Sequence, residues 1–367
     1  MKLKVLYVVP PSTHFAGIER VVHDIATGLA TRYGDRLDVT VLYCFRYAEL
    51  SGDLPYRVIW ESVQRLRSLP FCVARWLRKE SYDVVVIAQF EPTALVWLWH
   101  RLGAGKSRFV MHFHGNPKIE RSTSRRARFA FAFFNALLPR MHRIVAVSPS
   151  LARYIEDHVG QRGLVEYLPN PVRQFSDVTR PAKRDGTVAF VTVGRLSREK
   201  GYDILIEAFA RVVADGLDAR LTIVGDGTAH AALAAQIQRL GVGDRVRLAG
   251  RIPNPARELE EADCFVCASR WEGFGVAIVE ALSAGLYVIA SNCEFGPGDL
   301  IDGPEKGRIV PTEDIGALAA AMSEFVRAGR SDAHDATRRE AAALFSLEHV
   351  ITRHVSMLES VGGRASG

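Results

Sequence analysis

The sequence predicts an α/β protein built from two Rossmann-like domains that face a central cleft. Short apolar runs typical of buried strands alternate with amphipathic helical runs along the whole chain. This alternation is typical of parallel sheets covered by helices on both faces. At 367 residues the chain is also too long for one ordinary hydrophobic core. Each half is therefore expected to form its own sheet.

In the first half, a strand predicted over 4–10 is followed by a helix over 18–34, whose apolar residues recur at helical spacing. Further strands are predicted by the runs VTVLYC, DVVVIA, RFVMHFHG and RIVAVS. The second half repeats the pattern with TVAFVTVG, RLTIVGDG, RVRLAG, DCFVCAS and LYVIAS. A polar stretch containing Pro and Gly separates the halves. The predicted organisation is an N-terminal domain over 1–172, a linker over 173–186, a C-terminal domain over 187–345 and a final helix over 346–367 that returns toward the first domain.

Composition is that of a soluble globular protein, with 48% hydrophobic and 24% charged residues. The N-terminus lacks the long apolar region and cleavage site of a signal peptide, so a cytoplasmic location is expected. The five cysteines are odd in number and scattered, which argues against a disulfide framework. Cys264 and Cys267 form a C-x-x-C, but they lie within a predicted strand and are interpreted as small core residues.

The loops that directly follow predicted strands are candidate ligand sites, because ligands bind beyond the carboxyl ends of parallel strands. The first is VGRLSREKG, 193–201, in which Gly194 ends a strand and Arg195 and Lys200 precede Gly201. Arg can bind a diphosphate bidentately and Lys can bind it as a point charge. Taken alone, the loop fits two solvated surface cations equally well. It is not a Walker loop, since G-x-x-x-x-G-K-[ST] is absent.

The second loop is WEGFGVAIVEALSAG, 271–285, in which Gly273 and Gly275 precede a predicted helix. Free N–H groups and the positive end of the helix dipole bind anions there. With the two cations of the first loop, this turn predicts a two-sided clamp on one diphosphate. Glu280 would then lie beside ribose hydroxyls, and Glu272 would reach the group attached to the far phosphate. Alone, Glu280 fits a helix-surface carboxylate, and Glu272 a capping residue.

Together these motifs resemble the retaining glycosyltransferases of the GT-B fold, family 4. The resemblance rests on E-x7-E in EGFGVAIVE, on VGRLSREKG upstream and on AGIERVV after the first strand. It extends over nearly the whole chain through IVGDG, VRLAGRIP and FGPGDLIDGPEKGRIVP, in the family's order. It implies transfer of a sugar from a nucleotide-diphosphate donor. The run CEFGPGDLIDG resembles members that use UDP-sugars with hexose or N-acetylhexosamine, and GDP-mannose stays open.

The resemblance also implies roles for individual residues. Arg195 and Lys200 would hold the donor diphosphate and stabilise its departure. Glu280 would bind the ribose hydroxyls and Glu272 the donor sugar, while His114 would lie near that sugar and the reaction centre. The remaining implied donor contacts are Gly17, Gly194, the backbone of Arg251 and Ile252 at the nucleobase, and the turn Gly273, Phe274 and Gly275.

Neither a metal ion nor another cofactor is expected. Negative charge develops on a phosphate oxygen as the glycosidic bond breaks, and preorganised cations and N–H donors lower that barrier. Mg²⁺ could do the same, but the chain contains no D-x-D. Arg195, Lys200 and the helix terminus are the expected substitutes.

The first half is basic: residues 1–180 hold 26 Lys and Arg against 15 Asp and Glu. Two of its segments, 63–79 and 121–143, combine arginines with aromatic residues, which suits a helix on an anionic membrane surface. For 121–143, a helix buried inside the domain is an equal alternative. No nucleic-acid-binding module is recognised. The expected acceptor is a lipid-linked saccharide or a lipopolysaccharide or polysaccharide precursor at the inner face of the cytoplasmic membrane.

Two other functions stay open. A GT-B sugar-nucleotide epimerase would use the same donor pocket without an acceptor. A non-catalytic GT-B protein could act as a binding partner in a polysaccharide assembly complex, although Arg195, Lys200, Glu272 and Glu280 are all present. A dehydrogenase is disfavoured, because no G-x-G-x-x-G follows the first strand.

Overall fold

The computed structural model describes residues 1–12, 15, 17–103, 105–117, 136–159, 163–177 and 186–363. The chain divides into two compact units. The first comprises Met1–Pro171 and Leu347–Gly367, and the second Val172–Ser346. Each unit is built around its own parallel sheet. The predicted α/β class with two Rossmann-like domains is confirmed.

The first unit contains a seven-stranded sheet of order β3-β2-β1-β4-β5-β6-β7, with every pairing parallel. Its strands are β1 Leu3–Val8, β2 Leu37–Tyr43, β3 Arg57–Trp60, β4 Val84–Ala88, β5 Arg108–Phe113, β6 Arg143–Ala146 and β7 Val165–Tyr167. Its first four described helices are α1 Ile18–Tyr33, α2 Leu69–Lys79, α3 Phe90–Leu102 and α4 Pro149–Val159. The apolar stripe of α1 packs with β1 and β2 in the core of this unit, as its helical spacing predicts.

The second unit contains a six-stranded sheet of order β10-β9-β8-β11-β12-β13, also parallel throughout. Its strands are β8 Val188–Val193, β9 Ala219–Val224, β10 Val246–Gly250, β11 Cys264–Cys267, β12 Tyr287–Ser291 and β13 Gly307–Val310. Its described helices are α5 Tyr202–Ala214, α6 His230–Arg239, α7 Ala256–Glu260, α8 Val276–Ser283, α9 Pro297–Leu300, α10 Ile315–Ala328 and α11 Asp335–Ala343. The order repeats that of the first six strands of the other sheet. In both, the strand order reverses beside the first strand of the unit.

The last described helix, α12, spans Leu347–Gly362 and packs on the first unit. It buries Ile351, Val355 and Leu358 in the core of that unit, each worth about 1.5–3 kcal/mol. A Cβ at Gly28 of α1 would lie 2.8 Å from Cγ2 of Ile351, which shows how closely the two helices pack. Nε of Arg36 donates to Oε1 of Glu359 at 2.9 Å. Helix α12 is therefore structurally part of the first unit.

Two segments singled out in the sequence are described only in part. Of the predicted linker 173–186, residues 173–177 and 186 are described; the N–H of Phe175 donates to Oγ of Ser283 at 2.9 Å, so this part packs on the second unit. Of segment 121–143, residues 121–135 lie outside the described residues. Its described end is not an α-helix: it holds a 3-10 turn at Leu138–Arg140 and the start of β6. Within the described part of the chain, no helix has the length and apolar character needed to cross a membrane.

Candidate functional site

The candidate donor-binding loops meet at one edge of the second sheet. Strands β8 and β11 are hydrogen-bonded neighbours, although β9 and β10 separate them in sequence. The edge between them is a topological switch point, where open parallel sheets bind ligands. The loop 194–201 follows β8, and the loop 268–275 follows β11. Arg251 and Ile252 follow β10 at the same edge, so the fold gathers the predicted donor-binding residues of this unit.

The two loops touch through their backbones at a glycine. Gly201 has a φ of 62°, in the left-handed region that favours glycine. A Cβ at this position would lie only 2.0 Å from the carbonyl oxygen of Ala268. Glycine is therefore required at this position for two reasons: its left-handed conformation and the close approach of the Ala268 carbonyl oxygen. The contact fixes Lys200, the preceding residue, beside the loop that carries Glu272.

Lys200 and Glu272 form an ion pair at the centre of this edge. Nζ of Lys200 donates to Oε1 of Glu272 at 2.6 Å, and their side chains are 25% and 12% exposed. Oγ of the buried Ser269 donates to the same oxygen at 2.7 Å. Burial, the largest single influence, lowers the pKa of Lys200, but the charge and hydrogen bond of Glu272 together with the nearby Cys267 and Tyr202 outweigh it, and the net pKa is raised. Lys200 therefore carries a positive charge at neutral pH.

Ser269 was not among the predicted site residues. Its Oγ accepts a hydrogen bond from Sγ of Cys267 at 3.4 Å, and Oγ of Ser291 donates to its carbonyl oxygen at 2.5 Å. These contacts hold the serine at the carboxyl ends of β11 and β12. Its position directly after a predicted strand, in the run DCFVCAS, is the sequence signal that could have identified it.

Arg195, the second predicted cation, pairs with Glu199. Nη2 of Arg195 donates to Oε1 of Glu199 at 2.8 Å, and the arginine side chain is 73% exposed. Arg270 anchors the turn between Arg195 and Glu199. Its guanidinium donates to both carboxylate oxygens of Asp203, at 2.8 and 2.7 Å, and to the carbonyl oxygen of Arg198 at 2.8 Å. Arg270, which was a candidate from its position after a predicted strand but had no assigned role, keeps the cation-bearing turn in place.

The turn Gly273–Phe274–Gly275 precedes α8, and Gly275 has a φ of 100°. The side chain of Phe274 is buried, with its ring centroid 5.4 Å from that of Phe345. The phenylalanine thus anchors the turn in the core, next to the N-terminus of α8, where a helix leaves N–H groups without intrahelical partners. Glu280 lies on α8 and is half-buried, beside the fully buried Ile278 and Val279.

His114 and Gly17, the other predicted site residues, belong to the first unit. His114 follows β5, and its ring centroid lies 4.0 Å from that of the buried His112. Burial lowers the pKa of His114 to about 4, against a smaller opposing effect of Asn170. The imidazole is therefore neutral at pH 7 and can exchange hydrogen bonds with a hydroxyl group. Gly17 begins α1 with a φ of 48°, next to residues 13, 14 and 16, which lie outside the described residues.

Within the described ranges, the cysteines and carboxylates of the second unit do not form a metal centre. Among the residues with described positions, no group of three or more His, Cys, Asp or Glu side chains could hold a metal ion. All five cysteines are free thiols. Cys264 and Cys267 are buried in β11, as their interpretation as core residues predicts.

Comparisons with known proteins agree with this architecture. Residues 15–174 match the family Glycosyltransferase Family 4, and residues 175–342 match Glycosyl transferases group 1. The phosphatidyl-myo-inositol mannosyltransferase of Mycolicibacterium smegmatis is 30% identical over 278 residues, 71% of this chain and 67% of that protein. An uncharacterized glycosyltransferase of Methanocaldococcus jannaschii is 38% identical over 112 residues, 30% of this chain. This chain spans only 22% to 38% of the length of the Methanocaldococcus relative and of two other curated relatives.

A solved structure with the same fold is that of Alr3699/HepE from Anabaena, in complex with UDP. It matches with a TM-score of 0.78 at 19% identity, over 98% of this chain and 100% of that chain. At this identity the likeness concerns the fold. With the two family matches and the mannosyltransferase relative, it shows that the chain belongs to the group 1 glycosyltransferases of family 4, with the GT-B fold.

Proposed function

We propose that the protein is a retaining hexosyltransferase that acts without a metal ion or other cofactor. It transfers a hexose or N-acetylhexosamine from a UDP-sugar to a lipid-linked saccharide or to a lipopolysaccharide or polysaccharide precursor. The observation that carries the proposal is the cluster of Lys200, Arg195 and the α8 terminus at the switch point of the second sheet. Such a cluster binds a diphosphate more strongly as negative charge develops on the diphosphate oxygens during bond breaking.

In the proposed reaction, the bond between the sugar C1 and the β-phosphate oxygen breaks, and Lys200 and Arg195 stabilise the charge on the departing UDP. The acceptor hydroxyl forms the new bond to C1 on the same face, and its proton passes to the departing phosphate. Glu272 and His114 bind hydroxyls of the sugar, and Glu280 binds those of the ribose. The backbone at Arg251 and Ile252 meets the base.

The names of similar proteins support the choice of substrates. The Anabaena protein was solved with UDP, and the mycobacterial relative is named for a phosphatidyl-myo-inositol acceptor. A nucleoside diphosphate donor and a lipid-bearing acceptor are therefore the first classes to test. Since the relative is a mannosyltransferase, GDP belongs in the same test as UDP.

Thermal unfolding with UDP, GDP, ADP and NAD tests the donor class. A ligand at 100 times its dissociation constant stabilises the fold that binds it by about 2.7 kcal/mol. We expect UDP, added without metal ions, to raise the unfolding temperature, and NAD to leave it unchanged. Stabilisation by NAD alone, or by none of the four, would contradict the proposed donor site.

A surface of the first unit supports peripheral contact with an anionic membrane. Phe71 of α2 and Trp99 of α3 are 57% and 40% exposed, with ring centroids 4.7 Å apart, and Leu102 is 74% exposed. We call these residues and the cations near them in sequence the α2–α3 surface. Its exposed cations are Arg65, Arg67, Arg75, Arg78, Lys79, Arg101 and Lys106, of which Arg75 pairs with Glu61. Neither 62–79 nor 92–108 contains an acidic residue. Exposed aromatic side chains with cations near them in sequence suit a lipid bilayer with anionic headgroups.

The double variant Phe71→Ser/Trp99→Ser is expected to bind vesicles of phosphatidylcholine and phosphatidylglycerol at least about tenfold more weakly than the wild type, because two aromatic side chains no longer enter the bilayer. Vesicle co-sedimentation measures the difference. Leu344→Ser is the matched control, since Leu344 is 61% exposed but lies in the second unit. If the wild type bound pure phosphatidylcholine vesicles as well as the anionic vesicles, the proposed attraction to anionic headgroups would be wrong. If the double variant bound the anionic vesicles as well as the wild type, the α2–α3 surface would be excluded.

A further inference from the structure

Both candidate phosphate-binding cations are paired with a carboxylate of their own unit. Lys200 donates to Glu272 at 2.6 Å, and Arg195 donates to Glu199 at 2.8 Å. A phosphate oxygen that takes the bonded N–H group of either cation displaces the carboxylate, and one that takes another N–H group of the same cation lies close to it. In both cases a phosphate oxygen shares the cation with a glutamate.

Glu199 is not an ordinary surface carboxylate. Its side chain is only 21% exposed, whereas that of its partner Arg195 is 73% exposed. Burial raises its pKa, but contacts with Ser197 and Arg195 outweigh burial, and the net pKa is lowered. At neutral pH the group is thus an anion, fixed within hydrogen-bonding distance of a cation at the switch point. A bound diphosphate would meet this negative charge whether or not it displaced the carboxylate.

We propose that Glu199 and Glu272 are internal competitors for the donor diphosphate, which lower the affinity for UDP and promote its release after transfer. The inference rests on the proposed function and adds Glu199, a residue with no assigned role, to the determinants of nucleotide affinity. The pair is weakened because its arginine is largely exposed to solvent, so a diphosphate with several charged oxygens can displace it. When UDP leaves, each cation regains its carboxylate, so the site never exposes two unpaired charges.

The two glutamates are expected to differ in one respect. Glu272 is also held by Ser269 and is proposed to bind the donor sugar, so it competes with the phosphate and contributes to transfer. Glu272→Gln should therefore bind UDP more tightly while transferring sugar more slowly. Glu199 has only the competing role. Its removal should tighten UDP binding without removing any contact to the donor.

The decisive variant is Glu199→Gln, which keeps the side-chain shape and removes the charge. We expect its dissociation constant for UDP, measured by isothermal titration calorimetry, to fall about three- to tenfold. Product inhibition of transfer by UDP should strengthen by the same factor. The matched control is Glu261→Gln, because Arg257 and Glu261 form the same i,i+4 pair at 2.8 Å on α7 and the residue after it. This control should leave UDP binding unchanged.

A double-variant cycle separates direct competition from a general effect of charge. On the Arg195→Ala background, Glu199→Gln should have less than half of its effect on the free energy of UDP binding, because the contested cation is gone. An unchanged or weaker affinity of Glu199→Gln for UDP would overturn the proposal, as would an equal gain in the Arg195→Ala background. If the wild type bound no nucleoside diphosphate at all, the proposed function would fail with it. Binding of UDP without any effect of Glu199→Gln would refute the competition alone.

Discussion

Lys200→Met is expected to lower the turnover number for sugar transfer by about 10²- to 10³-fold. This is the loss typical of removing one preorganised hydrogen-bond donor to a developing negative charge. Lys200 is the less exposed of the two cations, and its Nζ is fixed by the Gly201–Ala268 contact and by Glu272. UDP binding should weaken as well, since the cation is proposed to contact the phosphate in both substrate and product. Steady-state kinetics and calorimetry with UDP measure both effects.

The same substitution leaves Glu272 without its cation, so a loss of activity could also reflect lost stability. A half-buried carboxylate without its partner costs about 1–3 kcal/mol. The double variant Lys200→Met/Glu272→Gln removes that cost and should regain the unfolding temperature but not the activity. Lys306→Met serves as a control, because Lys306 forms an ion pair of the same length, 2.6 Å, with Asp302 before β13. Recovery of transfer in the double variant would mean that Lys200 only neutralises Glu272.

His114→Ala is expected to reduce the turnover number about 100-fold while the affinity for UDP changes less than twofold. His114 belongs to the first unit, and UDP is proposed to bind the second, so only interactions with the sugar and the reacting atoms are lost. The lowered pKa keeps the imidazole neutral at pH 7, so its contribution is a hydrogen bond rather than a charge. His114→Asn, which retains a donor and an acceptor, should recover part of the rate.

A control for the histidine variant lies in the same unit. His100 is buried on α3 and accepts a hydrogen bond from the N–H of Ser107 at 3.2 Å. His100→Gln should alter stability but leave the turnover number near that of the wild type. A loss of UDP affinity in His114→Ala as large as its loss of turnover would contradict the separate roles of the two units.

The sequence predicted the central strands of both sheets but not three short strands at their edges. β3, β7 and β13 contain only four, three and four residues, and each has a single neighbouring strand. An edge strand buries less surface than a central one, so its apolar pattern is weak. These three edge strands were not needed to locate the candidate site from the rule that ligands bind beyond strand ends. The rule depends on β8, β9, β10 and β11, all of which were predicted, although β10 also lies at an edge of its sheet.

For the candidate site, sequence patterns identified Arg195, Lys200 and Glu272 but not their partners. Glu199 lies within VGRLSREKG and Ser269 within DCFVCAS, yet neither residue type indicates which side chain it contacts. The pairing of Arg195 with Glu199 depends on the 3-10 turn Arg198–Lys200, and that of Ser269 with Glu272 on the bend after β11. Such contacts follow from backbone geometry that a single sequence does not specify.

The most direct test of the account is proton NMR of the wild type with UDP-hexoses and UDP-N-acetylhexosamines, in the presence of detergent-solubilised lipid-linked saccharides. We expect UDP to be released from at least one α-linked donor without added metal, and the anomeric proton of the product to be that of an α-linkage. A β-linked product would contradict retention. Conversion of the donor into its epimer with the UDP linkage intact, or no change in any donor, would contradict sugar transfer itself.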